Sequence, residues 1–149
     1  MAEKLKKRIV LIEEDDKLRE GLSFAIEHSG NYFRVNAYKF YSDAIRQVHR
    51  DCPNAIVMDI AVSDMHRVEG IRALKSKCRA EIVVFTDIDS GQVINEVLSL
   101  GISGYILKKV TLADFIRSLE SILSGGAVLC PSVTKTVLES LHSNSASLC

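Results

Sequence analysis

An α/β domain with a five-stranded parallel sheet, covered by helices on both faces, is the fold this sequence predicts. Three observations carry that expectation. Short apolar runs recur along the chain, at residues 8–12, 55–59, 81–86 and 104–107, each bounded by polar or turn-forming residues. Amphipathic stretches with helical spacing separate them, and strict strand–helix alternation favours a parallel sheet between helical layers. The run Ala55, Ile56, Val57, Met58 has no polar alternation at all, as suits a strand buried on both faces.

In chain order, residues 1–7 read as a charged leader, and the basic cluster Lys4 to Arg8 as a solvated lead-in to the first strand, 8–12. Leu18, Leu22, Ala25 and Ile26 then mark a first helix starting at Asp16 and stopping at Gly30. Residues 32–37 alternate as a second, half-exposed strand. A helix follows over 41–50, with Ser42 or a neighbour as its cap and Ala44, Ile45 and Val48 inward. Cys52, Pro53 and Asn54 form a turn into the third strand, 55–59.

After a loop over 61–66, a third helix runs to Lys77 and buries Val68, Ile71 and Leu74. The fourth strand, 81–86, leads to a helix capped by Ser90, carrying Val93, Ile94, Val97 and Leu100 and ended by Gly101. Beyond the fifth strand, 104–107, Thr111 caps a helix with Leu112, Phe115, Ile116, Leu119, Ile122 and Leu123 on one face. That stripe suits either core or a dimer face. Ser124, Gly125 and Gly126 stop it. Pro131 opens a short helix over 132–141, and the small polar residues from His142 to Ser147 read as a linker or frayed tail.

Size and charge narrow the function. A chain of 149 residues suits one domain with a real core. With 19 basic and 19 acidic residues, it has no electrostatic footprint for nucleic acid. No apolar run is long enough to span a membrane, and the N-terminus lacks the apolar core of a signal peptide. Cys52, Cys78, Cys130 and Cys149 are far apart, without metal-ligand spacing, and read as reduced cytosolic thiols, Cys149 being exposed. His28, His49, His66 and His142 are scattered and read as surface residues.

The polar residues at the strand ends carry the chemistry. Glu13, Glu14, Asp15 and Asp16 follow the first strand, Asp59 ends the third, Thr86 ends the fourth and Lys108 follows the fifth. Ligand sites in open α/β sheets lie at the carboxyl ends of strands. Parallel strands would bring these acids, the hydroxyl and the amine to one edge, in outline a metal-and-phosphoryl site.

This ordered set resembles the receiver domain of bacterial two-component response regulators, over residues 8 to about 124. Arg19 to Leu22, Gly104 to Lys108 and Ser124 to Pro131 resemble the NarL/LuxR class more narrowly. The resemblance implies a flavodoxin-like (CheY-like) strand order, 2-1-3-4-5, with residues 8–124 as receiver and 125–149 as linker, short helix and polar tail. It implies that Asp59 accepts a phosphoryl group from a sensor histidine kinase. Glu13, Glu14, Asp59 and the backbone carbonyl of Ala61 would bind Mg²⁺, Lys108 and Thr86 would hold phosphoryl oxygens, and Asp15 and Asp16 would begin the first helix. Thr86 would move toward the phosphate and let Tyr105 swing inward, although Tyr105 suits plain core equally well. It further implies a cytoplasmic protein that dimerises on activation and is no enzyme beyond its own phosphorylation and dephosphorylation. DNA would be reached only through a helix-turn-helix output domain that this chain lacks.

Three departures from the family pattern stand out. Glu14 replaces the usual aspartate and is one methylene longer, which matters to a metal demanding near-ideal geometry at about 2.1 Å. Ser63, His66 and Arg67 stand where the loop usually has proline and Asp-Gly. Asp87 replaces a small residue after Thr86. They keep a second reading open, a phosphorylation-independent pseudo-receiver acting as a protein-binding or dimerisation module. A third takes Asp87, Ile88 and Asp89 as resembling the Asp-x-Asp nucleophile motif of haloacid-dehalogenase-type phosphatases.

Overall fold

The computed structural model describes residues 6–30 and 32–147. Strands β1 (Lys7–Ile12), β2 (Phe33–Tyr38), β3 (Ala55–Met58), β4 (Glu81–Thr86), β5 (Gly104–Leu107) and β6 (Val128–Leu129) alternate with helices α1 (Asp16–Glu27), α2 (Tyr41–Asp51), α3 (Arg67–Lys77), α4 (Gly91–Leu98), α5 (Leu112–Leu123) and α6 (Pro131–Ser147). The strands form one sheet in the order β2-β1-β3-β4-β5-β6, with every neighbouring pair parallel.

Alternation within each strand divides the core. Val10, Ile12, Ile56, Met58, Val84 and Leu107 face α2, α3, α4 and the start of α6. Ile9, Leu11, Val57, Val83, Phe85 and Ile106 face α1 and α5. All four residues of β3 are fully buried, as its uninterrupted apolar run requires. The α5 stripe is core: Phe115, Ile116, Leu119 and Ile122 are buried, whereas Leu112 stays half exposed.

Helix stops fall where expected. Gly30 and Gly101 take positive φ, +85° and +79°, a region glycine enters without a steric penalty. Ser90 and Thr111 accept hydrogen bonds from Val93 and Asp114 N–H, capping α4 and α5. Asn54 joins three strand starts. Its side chain accepts from Arg8 N–H at 2.8 Å, its N–H donates to the Arg8 carbonyl at 2.7 Å, and its carbonyl accepts from Glu81 at 3.0 Å.

Three sequence expectations need correction. The sheet has six strands, because the chain after α5 lays Val128 and Leu129 beside Gly104 and Tyr105. A two-residue parallel strand leaves no period-2 signature. Next, the segment read as a polar tail after His142 is helical to Ser147. Once a helix is nucleated, each further residue fixes itself with one more hydrogen bond, so small polar residues extend it at little cost. The helix leans on α4, where Asn95 donates to the Ser140 hydroxyl at 3.0 Å. Finally, Ser42 does not cap α2. Phe40 holds the cap position without a side-chain bond, and the Asp64 carboxylate accepts from the N–H groups of Tyr41 (3.1 Å) and Ser42 (3.0 Å). The donors left over at a helix start thus find an acceptor 22 residues along the chain. Lys4 and Cys149 lie outside the described residues; Cys52, Cys78 and Cys130 are free thiols.

Removing the Asp64 carboxylate in Asp64→Ala should cost about 1 kcal/mol, the usual loss on deleting a helix cap. Burial would raise this carboxyl's pKa, but the Ser42 and Tyr41 N–H bonds outweigh it and hold the pKa below the ordinary 3.8. The cap's contribution is therefore complete above that pH and fades as acid protonates Asp64 below it. The gap in urea midpoint between wild type and variant should be full at pH 7, smaller at pH 3, and should shrink further with each step into acid.

Candidate phosphoryl-transfer site

Sheet hydrogen bonding runs one residue beyond the strands and aims the polar side chains. Glu13 N–H donates to the Tyr38 carbonyl (3.0 Å), Asp59 N–H to Ile12 (3.0 Å) and Lys108 N–H to Thr86 (2.9 Å). Each tip is thus pinned to the neighbouring strand before its side chain does anything.

At this edge the Lys108 ammonium lies 2.7 Å from Glu13 Oε1 and 2.7 Å from Asp59 Oδ2. The other Asp59 oxygen, Oδ1, accepts from the Thr86 hydroxyl at 2.7 Å and from Ala61 N–H at 3.0 Å. Glu13, Asp59 and Thr86 are the buried polar residues here, 4%, 9% and 1% exposed. One cation between two buried carboxylates compensates charges that could not stand alone. Burial by itself would lower the Lys108 pKa; hydrogen bonds to Asp59 and Glu13 outweigh it and raise it, so the amine is charged at neutral pH.

Of the residues expected here, Glu13, Asp59, Thr86 and Lys108 come together, and Ala61 contacts Asp59 through its N–H. Glu14 does not join them. Both of its oxygens turn to Ser63, Oε2 accepting from its N–H at 2.9 Å and Oε1 from its hydroxyl at 2.6 Å. Asp15 caps α1 by accepting from Leu18 N–H, and Asp16 pairs with Arg19 in the first turn. Asp87 and Asp89 are exposed, unlike Asp59.

Tyr105 is fully buried, and its hydroxyl donates to the Ile88 carbonyl at 2.7 Å in the loop after β4. Ile88 N–H in turn approaches the Thr86 hydroxyl at 3.4 Å. Burial pushes the Tyr105 phenol up to about 12, eased by the nearby Arg67 and reinforced by Asp59. The Thr86 hydroxyl thus donates to Asp59 Oδ1, and the buried Tyr105 donates to the Ile88 carbonyl two residues beyond Thr86.

Sequence reasoning missed three positioning residues. Arg19 donates to the backbone carbonyls of Glu13 (2.9 Å) and Glu14 (3.4 Å), and so holds the acidic turn. The Tyr41 hydroxyl donates to the Asp59 carbonyl from inside the core. Ser63 binds Glu14. An arginine six residues after an acid was a weak local signal; the other two contacts cross 18 and 49 residues, with none.

The family model described as response regulator receiver domain matches residues 9–120. The chain belongs to this family. It is homologous to NarL/LuxR-class regulators. The transcriptional regulatory protein YdfI of Bacillus subtilis is 24% identical over 132 residues, 89% of this chain and 62% of YdfI. The nitrate/nitrite response regulator protein NarL of Escherichia coli K12 is 26% identical over 139 residues, 93% of this chain and 64% of NarL. This receiver thus spans about three fifths of the length of those relatives. Among solved structures, a two-component response regulator of the LuxR family from Aurantimonas superposes with a TM-score of 0.83 at 25% identity, covering 91% of this chain and 97% of that one. A CheY-like receiver domain from Methanospirillum hungatei shares the fold at a TM-score of 0.74.

Receiver domains typically bind Mg²⁺ at the phosphorylation site. Carboxylate oxygens are the right donor type for this hard cation. Their arrangement here does not fit it, for no three His, Cys, Asp or Glu side chains among the described residues are grouped to hold a metal ion. Glu14 is turned away to Ser63, and an ammonium already stands between Glu13 and Asp59.

Removing that ammonium exposes its role. Lys108→Met should destabilise the domain by about 3 kcal/mol, since breaking a buried pair leaves uncompensated charge. Adding Asp59→Asn should recover part of the loss, because one of the two facing carboxylates is then neutral. Thermal unfolding of the two single variants and the double variant at pH 7 checks this; strictly additive losses would refute the coupling.

Proposed function

We propose that this receiver accepts a phosphoryl group on Asp59 from the phosphohistidine of a sensor histidine kinase and converts it into a change of its interaction surface. The observation that carries this reading is the bridge of Lys108 between Glu13 and Asp59, with Thr86 on the remaining aspartate oxygen. Phosphoryl transfer is mostly positioning and charge compensation. A carboxylate is already deprotonated, so Asp59 needs no general base. Its oxygen forms the new bond to phosphorus as the phosphorus–nitrogen bond to histidine breaks, and the electron pair leaves with the imidazole. Lys108 offers a fixed positive charge beside the incoming oxygens, and the Thr86 hydroxyl can exchange an Asp59 oxygen for a phosphoryl one.

The change would travel through Thr86, Ile88 and Tyr105 toward α4 and β5. Under this reading the chain is cytoplasmic, forms a homodimer on activation, and catalyses nothing beyond its own phosphorylation and dephosphorylation. Among the described residues, no helix is long and apolar enough to cross a membrane. Transcription would be controlled through a DNA-binding output domain, as the NarL/LuxR-class resemblance implies. Mg²⁺ belongs to the family's chemistry; Glu13, Glu14, Asp59 and the Ala61 carbonyl are the ligands the resemblance implies. With Glu14 bound to Ser63 and the Lys108 ammonium between Glu13 and Asp59, they do not form a metal site in this arrangement.

One feature favours the second reading, a pseudo-receiver that binds proteins or dimerises without phosphate: Glu14 is committed to Ser63. Acetyl phosphate separates the two. Incubation with Mg²⁺ should add a phosphoryl mass to wild type and none to Asp59→Asn. A wild-type chain that stays folded and unmodified would hand the case to the pseudo-receiver.

A further inference from the structure

We infer that Ser63 is a positioning residue that holds Glu14 out of the acid pair Glu13–Asp59 and thereby sets a low affinity of this chain for Mg²⁺. The inference rests on the proposed phosphoacceptor reading, because it concerns the metal that such a site would use.

Two donors of one residue take both oxygens of one carboxylate. Ser63 N–H reaches Glu14 Oε2 at 2.9 Å, and its hydroxyl reaches Oε1 at 2.6 Å. A charge-assisted pair of this kind is stronger than two neutral bonds and fixes direction as well as distance. Neither donor drifts. Val62, just before Ser63, is buried at 4% exposure, and Asp64, just after it, is tied to the start of α2 through Tyr41 and Ser42. Ser63 is therefore held from both sides, and so is the carboxylate it grips. Glutamate has the length to reach this loop while its backbone stays under Arg19, which donates to the carbonyls of Glu13 and Glu14.

For a divalent cation the consequence is specific. Mg²⁺ demands near-octahedral oxygen ligation at about 2.1 Å and gives up water reluctantly. To recruit Glu14 it must break both Ser63 bonds, while at Glu13 and Asp59 it meets the Lys108 ammonium. Proline at residue 63, which the family pattern usually has there, would supply neither donor. The substitution of serine is what makes the grip chemically available.

Magnesium titrations followed by calorimetry, and by the amide resonances of Asp59 and Ala61, test this without phosphorylation. Ser63→Ala, at an exposed position, loses the hydroxyl donor and should bind Mg²⁺ about tenfold tighter than wild type, equivalent to about 1.4 kcal/mol. Ser63→Thr keeps the hydroxyl and should match wild type. Glu14→Gln alone should leave the wild-type affinity unchanged, yet erase the gain when added to Ser63→Ala. A purely structural role for Ser63 would not produce that dependence on Glu14. An affinity of Ser63→Ala within twofold of wild type overturns the inference, and so does weaker binding in Glu14→Gln alone. The acetyl phosphate assay is read separately. Failure to phosphorylate any variant sinks the phosphoacceptor reading, whereas unchanged metal affinities sink only the role of Ser63.

Discussion

The Lys108 ammonium, shared between Glu13 and Asp59, is the interaction on which this edge of the molecule depends. Two carboxylates at these depths would repel each other in a medium that screens poorly, and each would be costly to keep charged. One amine at 2.7 Å from both removes that difficulty. It also ties β1, β3 and β5 together at their tips, although β4 lies between β3 and β5 in the sheet. The burial that makes the bridge strong also limits what can replace it, since a neutral residue in place of Lys108 leaves two like charges facing one another.

Topology explains why the three groups meet at all. The order β2-β1-β3-β4-β5-β6 reverses direction between β1 and β3, so the helices leaving those strands depart to opposite faces. A crevice opens there at the carboxyl ends, where such sheets bind ligands. The backbone then sets the aim. Each of Glu13, Asp59 and Lys108 donates its N–H to the last residue of an adjacent strand, so the side chains begin from fixed points instead of mobile loops.

Fold and site differed in how far they could be read from sequence, for physical reasons. Strands β1, β3, β4 and β5 announced themselves because burial on both faces demands unbroken apolar runs, and a carboxylate, threonine or lysine ending such a run is conspicuous. Asp59, Thr86, Lys108 and Glu13 were legible for that reason. The grip of Ser63 on Glu14 was not, because a serine in a polar loop has no local signature and its partner lies 49 residues away. The cap of α2 was hidden in the same manner: Ser42 is the residue type that normally caps, yet Asp64 does the work through space. Strand β6 escaped because its place in the sheet comes from backbone pairing beside Gly104 and Tyr105, which side-chain patterning does not encode.

The loop after Asp59 illustrates what such long-range bonds achieve. In the family pattern this loop is shaped by proline and glycine, residues that act through the backbone angles they impose or permit. Here Ser63, His66 and Arg67 stand instead, and the loop is held by side-chain contacts. Tyr41 donates to the Asp59 carbonyl, Asp64 accepts from the first N–H groups of α2, Ser63 binds Glu14, and Arg67 pairs with Glu96 of α4 at 2.7 Å. Backbone restriction acts on a loop alone, whereas these bonds make it one unit with α2, with the acidic turn after β1 and with α4. A change at Asp59 that moves this loop must therefore move or break contacts on three elements. Through Arg67 and Glu96 the loop reaches α4, the helix that follows the strand carrying Thr86.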